Sequence, residues 1–259
     1  MSAPVPAPTI DLNADLGEGF GACPSAADSE LFPLISSASI ACGFHAGDPT
    51  RMRETAALAA QNGVVVGAHP GYPDLLGFGR RELGASAGEV ADYVAYQVGA
   101  MMACASAART RVRYVKPHGA LYHRGAREPD IARAIVEGVR AADAGLALLG
   151  LAGSALLTAA REAGIEAIAE AFLDRGYRRD GSLVPRSEPG ALIEDPAVAA
   201  ARAVKLVRQR VVDTVEGGPI TVTAESLCVH GDGSRATAVL RAVRERFAAE
   251  GIAVAPFAR

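Results

Sequence analysis

The stretch ASIACGFHAGDPTRMRETAALAAQNGVVVGA, residues 38–68, contains a complete strand–helix–strand unit. Its first apolar run is followed by Asp48 and Pro49, a helix N-cap with proline at the first helical position, and an alanine-rich segment then leads to Gly63. A second apolar run, residues 64–68, comes directly afterwards. Two short apolar runs joined by a helix are typical of parallel strands with a crossover connection. The stretch therefore predicts an α/β fold.

The same alternation continues on both sides of this unit. Strands are predicted over residues 9–13, 38–43, 64–68, 112–116, 146–151, 166–170 and 226–230. Helices are predicted over residues 50–62, 86–109, 129–142 and 154–163, from Asp195-Pro196 onwards, and from Ser234 to Gly251. We expect one domain over residues 1–259, a distorted (β/α) barrel of about seven strands that residues 252–257 help to close. A doubly wound open sheet is the alternative.

Composition narrows the classes of function. The 259 residues are 50% hydrophobic with a net charge of −3, and no run of basic residues marks a surface for nucleic acid or anionic lipid. No segment reaches the roughly 20 apolar residues of a membrane span, and the amino terminus lacks a signal-peptide pattern. The four cysteines, Cys23, Cys42, Cys104 and Cys228, lack C-x-x-C spacing. These features predict free thiols, a cytoplasmic location and small-molecule or protein partners.

Polar residues collect at the carboxyl ends of the predicted strands, where active sites of α/β proteins lie. Alternation in the first strand places Asp11 and Asp15 on one face. Four of the five histidines follow four different strands, namely His45, His69, His118 and His230. Each alone fits a structural role, but together they indicate a site. Asp11, Asp15, His45 and His69 suit a metal such as Zn, Mn or Ni, and they equally suit acid/base chemistry.

Cationic residues suggest where an anion would bind. Only two of the 26 basic residues are lysines, and Lys116 ends an apolar strand, where it would supply a point charge. Two long irregular segments, residues 69–84 and 174–194, carry further cations, which are Arg80, Arg81, Arg175 and Arg186. The turn LGLAGS, residues 149–154, could receive a phosphate at a helix N-terminus, although the chain has no P-loop or G-x-S-x-G motif.

Several long motifs resemble the LamB/YcsF family, whose characterised members are A subunits of a bacterial 5-oxoprolinase. They are IDLNADLGEGFG, SSASIACGFHAGDP, VGAHPGYPDLLGFGRREL, YVKPHGALYH, LGLAGS, AFLDRGYRRDGSLVPRSEPGALIED and CVHGD. The likeness runs in order from Ile10 to Phe257. His123 departs from the pattern, since relatives often carry another polar residue there, and we do not expect it to be catalytic.

The resemblance implies a deacetylase-like barrel and ATP-dependent opening of 5-oxo-L-proline to L-glutamate, with Mg²⁺ and a monovalent cation such as K⁺, and with B and C subunits as partners. For this reaction we hypothesise that Lys116 with Arg175 or Arg186 holds phosphate or the substrate carboxylate. Asp11 or Asp15, with His45 and His69, would bind a cation or activate water. His118 or His230 would transfer a proton.

Other interpretations stay open at this point. A metal-dependent amidase or deacetylase without ATP is one, and a non-catalytic subunit that presents the lactam to its partners is another. Whether a transition metal is tightly bound and whether the chain forms a homo-oligomer are likewise undecided.

Overall fold

A computed structural model describes residues 7–21, 28–230 and 235–258. Its strands are β1 Thr9–Leu16, β2 Ser37–Ala41, β3 Val65–His69, β4 Val112–Val115, β5 Ala147–Leu151, β6 Ala167–Phe172, β7 Val211–Asp213, β8 Pro219–Thr221, β9 Ser226–Val229 and β10 Ala253–Val254. Strands β1 to β6 and β9 are parallel neighbours, and β1 pairs with both β2 and β9. The sheet is therefore closed. A seven-stranded barrel is confirmed, and the open-sheet alternative is wrong.

The last segment of the chain closes one end of this barrel. The short strand β10 pairs with the start of β1, as expected for residues 252–257. The antiparallel β7–β8 hairpin was not predicted. That residues 1–259 form one domain stays a prediction.

Helices surround the barrel. They are α1 Asp28–Leu31, α2 Pro49–Gln61, α3 Ala87–Ala107, α4 Gly119–Arg127, α5 Pro129–Ala142, α6 Ala155–Glu162, α7 Pro196–Gln209 and α8 Ala236–Ala249, with a 3₁₀ turn at Phe32–Leu34. No helix in the described ranges has the length and apolar composition to cross a membrane.

Four of the predicted helix N-caps are confirmed. Asp48 accepts hydrogen bonds from the amides of Thr50 and Arg51, and Ser86 forms a capping box with Glu89. Ser154 and Asp195 likewise cap their helices. The predicted helix start at Ser234 lies outside the described residues, as does Cys23. Helix α4 was missed because the residue before it, His118, makes no side-chain cap that a sequence pattern could reveal.

Alternation along β1 separates two environments. Ile10, Leu12, Ala14 and Leu16 belong to the large apolar core. The intervening polar residues of β1 point into the barrel, where Asn13 meets Glu170 of β6. Deeper in the barrel, a separate apolar cluster of Tyr114, Ala147, Leu149 and Ile168 fills the interior. Polar groups therefore occupy the part of the barrel nearest the carboxyl ends of the strands.

Gly67 is needed to fit the ring of Tyr114 inside the barrel. A Cβ at Gly67 would come within 2.3 Å of that ring, so a larger residue would displace the tyrosine.

Candidate active site

A cleft of about 650 Å³ opens at the carboxyl ends of the barrel strands. Most of the predicted site residues line it, namely Asp15, His69, Lys116, His118, Arg175, Arg186 and His230. The predicted residues Asp11 and His45 are buried and do not line the cleft. Parallel strands have thus brought together residues that are distant in sequence, as the position of active sites in such folds predicts.

Lys116 lies at the floor of the cleft in a closed polar network. Its Nζ is 2.9 Å from Asp15 Oδ1, 3.1 Å from Asn13 Oδ1 and 3.1 Å from Glu170 Oε2. The side chain is only 2% exposed. Burial alone would lower the pKa of Lys116, but the carboxylate of Asp15, the Cys228 side chain and Glu170 hold it well above its ordinary value. The ammonium charge is therefore already balanced within the barrel.

The contacts of Lys116 bear on its predicted role as a phosphate ligand, which stays a prediction. Two carboxylates compete with any phosphate for this ammonium group. Glu170 was not predicted, although a glutamate on an otherwise apolar strand was a signal for it.

Asp11 lies deeper in the barrel than Lys116. Ser36 and Ser37 donate hydrogen bonds to its Oδ1 at 2.7 and 2.6 Å, and Ser226 donates to Oδ2. Burial raises the pKa of Asp11 to about 6, although the serine hydroxyls lower it in part. The three serines thus donate hydrogen bonds to both oxygens of the Asp11 carboxylate. Asp11 does not belong to the group of potential metal ligands described next.

Four side chains at the edge of the cleft, two of which line it, place their ligand atoms within 4.8 Å of one another, namely Glu18, His45, His69 and His118, hereafter the His₃Glu group. Glu18 Oε1 is 3.3 Å from both His45 Nε2 and His118 Nδ1. His118 Nδ1 is also 3.0 Å from His69 Nε2. The rings of His45 and His118 stack at 3.6 Å. The structure thus unites three predicted histidines with Glu18, an acidic residue just beyond β1 that was not predicted.

Backbone carbonyls fix the tautomers of two of these histidines. A carbonyl can only accept, so His69 Nδ1 donates to Lys116 O at 2.7 Å and His118 Nε2 donates to Phe78 O at 2.8 Å. In the neutral form of each ring, the lone pairs are therefore on His69 Nε2 and His118 Nδ1. Burial lowers the pKa of both His45 and His118 well below that of a free histidine. The neutral form is favoured for each of these two rings.

A glycine lets the chain pass close to the stacked rings. Gly79 has φ +64°, and a Cβ there would lie 2.7 Å from His45 Cβ and 2.9 Å from His118 Cδ2. Any side chain at this position would push the rings apart, so the surrounding loop holds them in place.

The donor set decides which cations could bind here. Mg²⁺ and K⁺, which the family resemblance implied, prefer oxygen ligands, and three imidazoles with one carboxylate do not fit them. Imidazole and carboxylate together suit Zn²⁺, Mn²⁺, Ni²⁺ and related ions. The predicted metal ligands His45 and His69 belong to the His₃Glu group. Asp15 approaches it, with Oδ2 3.5 Å from His69 Nε2.

A second histidine–carboxylate pair stands at the other side of the cleft. His230 Nδ1 is 2.8 Å from Asp174 Oδ2, which also accepts from the His230 amide at 3.0 Å. Burial alone would raise the pKa of Asp174, but the charge and hydrogen bonds of His230 lower it. The Phe172 ring stacks on the imidazole. Nδ1 is thereby engaged, which leaves Nε2 as the reactive nitrogen of His230.

Arginines surround the rest of the opening, which is lined by Arg80, Arg127, Arg175, Arg178 and Arg186. The Arg175 guanidinium is buried and donates to the carbonyls of Val184 and Ala191. Burial and the nearby charge of Arg186 lower the pKa of Arg175 to about 10. Arg175 therefore shapes the loop over residues 174–194 as well as adding positive charge to the cleft. The turn after β5 also lines the cleft through Gly153 and Ser154, as the LGLAGS motif suggested.

The chain that builds this cleft matches a known family along almost all of its length. The family model described as LamB/YcsF family matches residues 10–259. The chain belongs to the LamB/YcsF family. A relative from Streptomyces avermitilis, named as the A subunit of 5-oxoprolinase, is 52% identical over 96% of this chain and 100% of its own length.

Solved structures agree with this assignment. The crystal structure of a lactam utilization protein from Thermus thermophilus superposes on this LamB/YcsF chain with a TM-score of 0.91 and 48% identity, covering 96% of this chain and 100% of the other. The catalytic domain of a peptidoglycan N-acetylglucosamine deacetylase from Eubacterium rectale reaches a TM-score of 0.53 at 9% identity, covering 98% and 90%. The second likeness concerns the fold alone and confirms the deacetylase-like barrel.

Proposed function

We propose that this chain is the A subunit of an ATP-dependent 5-oxoprolinase that opens 5-oxo-L-proline to L-glutamate. The proposal rests on 52% identity, over nearly the whole chain, to a relative that is named as the A subunit of 5-oxoprolinase. A cleft rimmed by arginines suits a substrate that carries a carboxylate, and it suits phosphate groups as well.

The chemistry accounts for the use of ATP. A five-membered lactam is an unstrained, resonance-stabilised amide, and its hydrolysis product recyclises readily. Phosphorylation of the lactam carbonyl oxygen would activate the ring carbon to attack by water. Cleavage of the C–N bond in the resulting tetrahedral intermediate would open the ring and leave an acyl phosphate, and a second water would hydrolyse it to glutamate and phosphate. Such a sequence requires cations beside the phosphate, a base for water and an acid for the departing nitrogen.

His230 is the residue best placed to move a proton in this reaction. Asp174 binds its Nδ1, which fixes the tautomer and stabilises the imidazolium that forms when Nε2 takes a proton. Because His230 lines the cleft, its Nε2 is available to a substrate. His230 would thus take the proton from water and return it to the lactam nitrogen.

The cationic groups of the cleft divide into two classes. Arg186 and the other rim arginines are placed to bind the substrate carboxylate or phosphate. Lys116 instead holds Asp15 and Glu170, so we assign it the role of fixing the floor of the cleft. Of the cations in the hypothesis, Arg186 therefore keeps the proposed anion-binding role, while Lys116 acts mainly through its neighbours.

The partners proposed are the B and C subunits of the same enzyme, because the relatives are named as one subunit of a larger enzyme. The cytoplasm is the proposed location, in keeping with free thiols at Cys42, Cys104 and Cys228. A homo-oligomer stays a prediction.

The test is 5-oxoproline-dependent release of ADP and glutamate, measured with this chain alone and then with B and C subunits. We expect activity only with all three chains, and we expect His230→Ala to reduce it by about 10²-fold or more, as for loss of a general acid–base. His123→Ala is the matched control, because His123 lines the same cleft without such a pair, and it should keep most of the activity. Full activity without this chain, or in His230→Ala, would contradict the proposal.

The second candidate, a metal-dependent amide hydrolase that needs no ATP, is favoured by the His₃Glu group. The same assay decides between the two. Glutamate formed by the isolated chain with a divalent metal and without ATP would favour the second candidate, and binding of 5-oxoproline without any turnover would favour a presenting subunit.

A further inference from the structure

We infer that the His₃Glu group, Glu18, His45, His69 and His118, is a binding site for one divalent transition metal of borderline softness, of the Zn²⁺ class. The inference concerns metal binding by this chain and stands apart from the lactam chemistry. Only the part that the metal plays in turnover rests on the proposed function.

The first argument is a conflict between acceptors. His69 Nε2 and His118 Nδ1 are 3.0 Å apart, yet each ring has already used its N–H on a backbone carbonyl. In the neutral form of both rings, two lone pairs then face each other at hydrogen-bond distance with no hydrogen between them. Buried polar groups normally pair donor with acceptor, so this contact needs a positive centre to bind both nitrogens.

A carboxylate makes the conflict larger. Glu18 Oε1 is 3.3 Å from the same His118 Nδ1, which places an anionic acceptor beside a lone pair. His45 Nε2 lies 3.3 Å from the same oxygen. Three acceptor atoms and the Nε2 nitrogen of His45 therefore converge on one small volume. A metal ion satisfies all of them at once, whereas a single hydrogen bond satisfies two.

The hydrogen bonds outside the group are those of a metal site. Histidine ligands generally donate their second ring N–H to a carbonyl or carboxylate, which fixes the ring and the tautomer. His69 and His118 do so to Lys116 O and Phe78 O. Gly79 leaves room for the rings to stack closely. The ligand atoms are thus oriented before any ion arrives.

Charge and donor type define the ion. Glu18 and the neighbouring Asp15 supply negative charge, and Asp15 Oδ2 lies 3.5 Å from His69 Nε2. Three imidazoles and a carboxylate prefer Zn²⁺, Mn²⁺, Co²⁺ or Ni²⁺ over Mg²⁺ or Ca²⁺. His69 and His118 also line the cleft, so a bound ion would be accessible from it.

The experiment is a titration of the full chain, stripped with a chelator, with Co²⁺ followed by visible absorption and with Zn²⁺ followed by calorimetry. We expect one ion per chain, d–d absorption of Co²⁺ bound by nitrogen and oxygen, and no displacement by excess Mg²⁺. Absence of binding, or displacement of the ion by Mg²⁺, would overturn the inference.

Variants locate the ion. Glu18→Gln preserves the size of the side chain and His118→Ala removes one imidazole, and each should weaken Zn²⁺ affinity by about 100-fold or more, while the cleft control His123→Ala should not. Circular dichroism checks that each variant is folded. If His118→Ala does not fold, Glu18→Gln still decides, because unchanged affinity in it places the ion elsewhere and refutes the site.

Metal binding and catalysis are scored separately. If the metal binds but the reconstituted enzyme shows no 5-oxoproline turnover, the proposed function fails and the metal site stands. If turnover is normal in the stripped enzyme with chelator present, the metal takes no part in lactam opening. Zn²⁺ affinity of the isolated chain, which needs neither ATP nor lactam, remains the measure of the site itself.

Discussion

Two buried polar regions lie side by side near the carboxyl ends of the barrel strands. They differ in whether hydrogen-bond donors face acceptors. Around Lys116, one ammonium group donates to Asp15 and Asn13 and contacts Glu170, so a donor meets acceptors. In the His₃Glu group, acceptors meet acceptors, with His69 Nε2 facing His118 Nδ1. Both regions are largely buried, but only the first contains an ammonium group, while the second contains three imidazoles and a carboxylate.

The difference separates an internal structural network from a site prepared for a ligand. Groups that satisfy one another gain stability from being buried together, since leaving either partner unpaired is costly. Groups that oppose one another lower stability until something binds them, as strain and unmet polar atoms at functional sites often do. Asp15 belongs to the edge of both regions, because Oδ1 binds Lys116 while Oδ2 approaches His69.

The largest expected effect comes from the paired region. Lys116→Met would leave Asp15 and Glu170 buried without their cation, and we expect unfolding free energy to fall by about 3–5 kcal/mol. Lys205→Met is the matched control, because the only other lysine pairs with Asp213 at the surface and should change stability by about 1 kcal/mol or less. Urea denaturation of both variants makes the measurement. Equal losses would remove the contrast between buried and surface lysines.

Asp11 provides a pH test of the same region. Its folded pKa of about 6 lies above the ordinary 3.8, so its stabilising contribution is complete below pH 3.8 and is lost as pH rises through 6. Between pH 4 and pH 7 the wild type should lose about 2 kcal/mol relative to Asp11→Asn, which does not titrate. Parallel urea titrations at the two pH values check this. A difference that is independent of pH would show that Asp11 stays ionised in the fold.

The smallest effect is expected in the unpaired region without metal. Glu18→Gln removes an anion that faces the lone pair of His118, so stability of the metal-free chain should change by about 1 kcal/mol or less. With Zn²⁺ at 100 times the Kd of the wild type, the wild type should gain about 2.7 kcal/mol and the variant about 0.4 kcal/mol or less. Thermal unfolding with and without Zn²⁺ makes the comparison. A large loss in Glu18→Gln before metal is added would mean that Glu18 stabilises the fold by itself.

The sequence predicted the barrel well because its signals are local. Apolar runs marked the seven barrel strands, and Asp48, Ser86, Ser154 and Asp195 marked helix starts by a capping interaction within three residues. Helix α4 and the β7–β8 hairpin lack such signals. They depend on packing that a single sequence does not display.

The sequence identified most residues of the site but not which of them contact one another. His45, His69 and His118 were identified because each follows a strand, but which of them meet depends on barrel curvature and side-chain direction. For the same reason Glu18, rather than Asp11, completes the group. The Asp11 carboxylate instead accepts hydrogen bonds from three serines, which lie on β2, on β9 and directly before β2. His230 was predicted, while its partner Asp174 became recognisable only through their contact.

The closure of β1 against β9 also has a consequence for synthesis on the ribosome. Asp11 pairs in register with Ser226, so the first strand cannot complete its pairing until more than two hundred further residues have been made. At roughly 5–20 residues per second, that delay is about 10–40 s. Through that interval one edge of β1, the strand that contains Asp11 and Asp15, stays unpaired in the nascent chain. Contacts of such long sequence separation form late and slowly. Truncated translation products that end before β9 should therefore be substrates for chaperones.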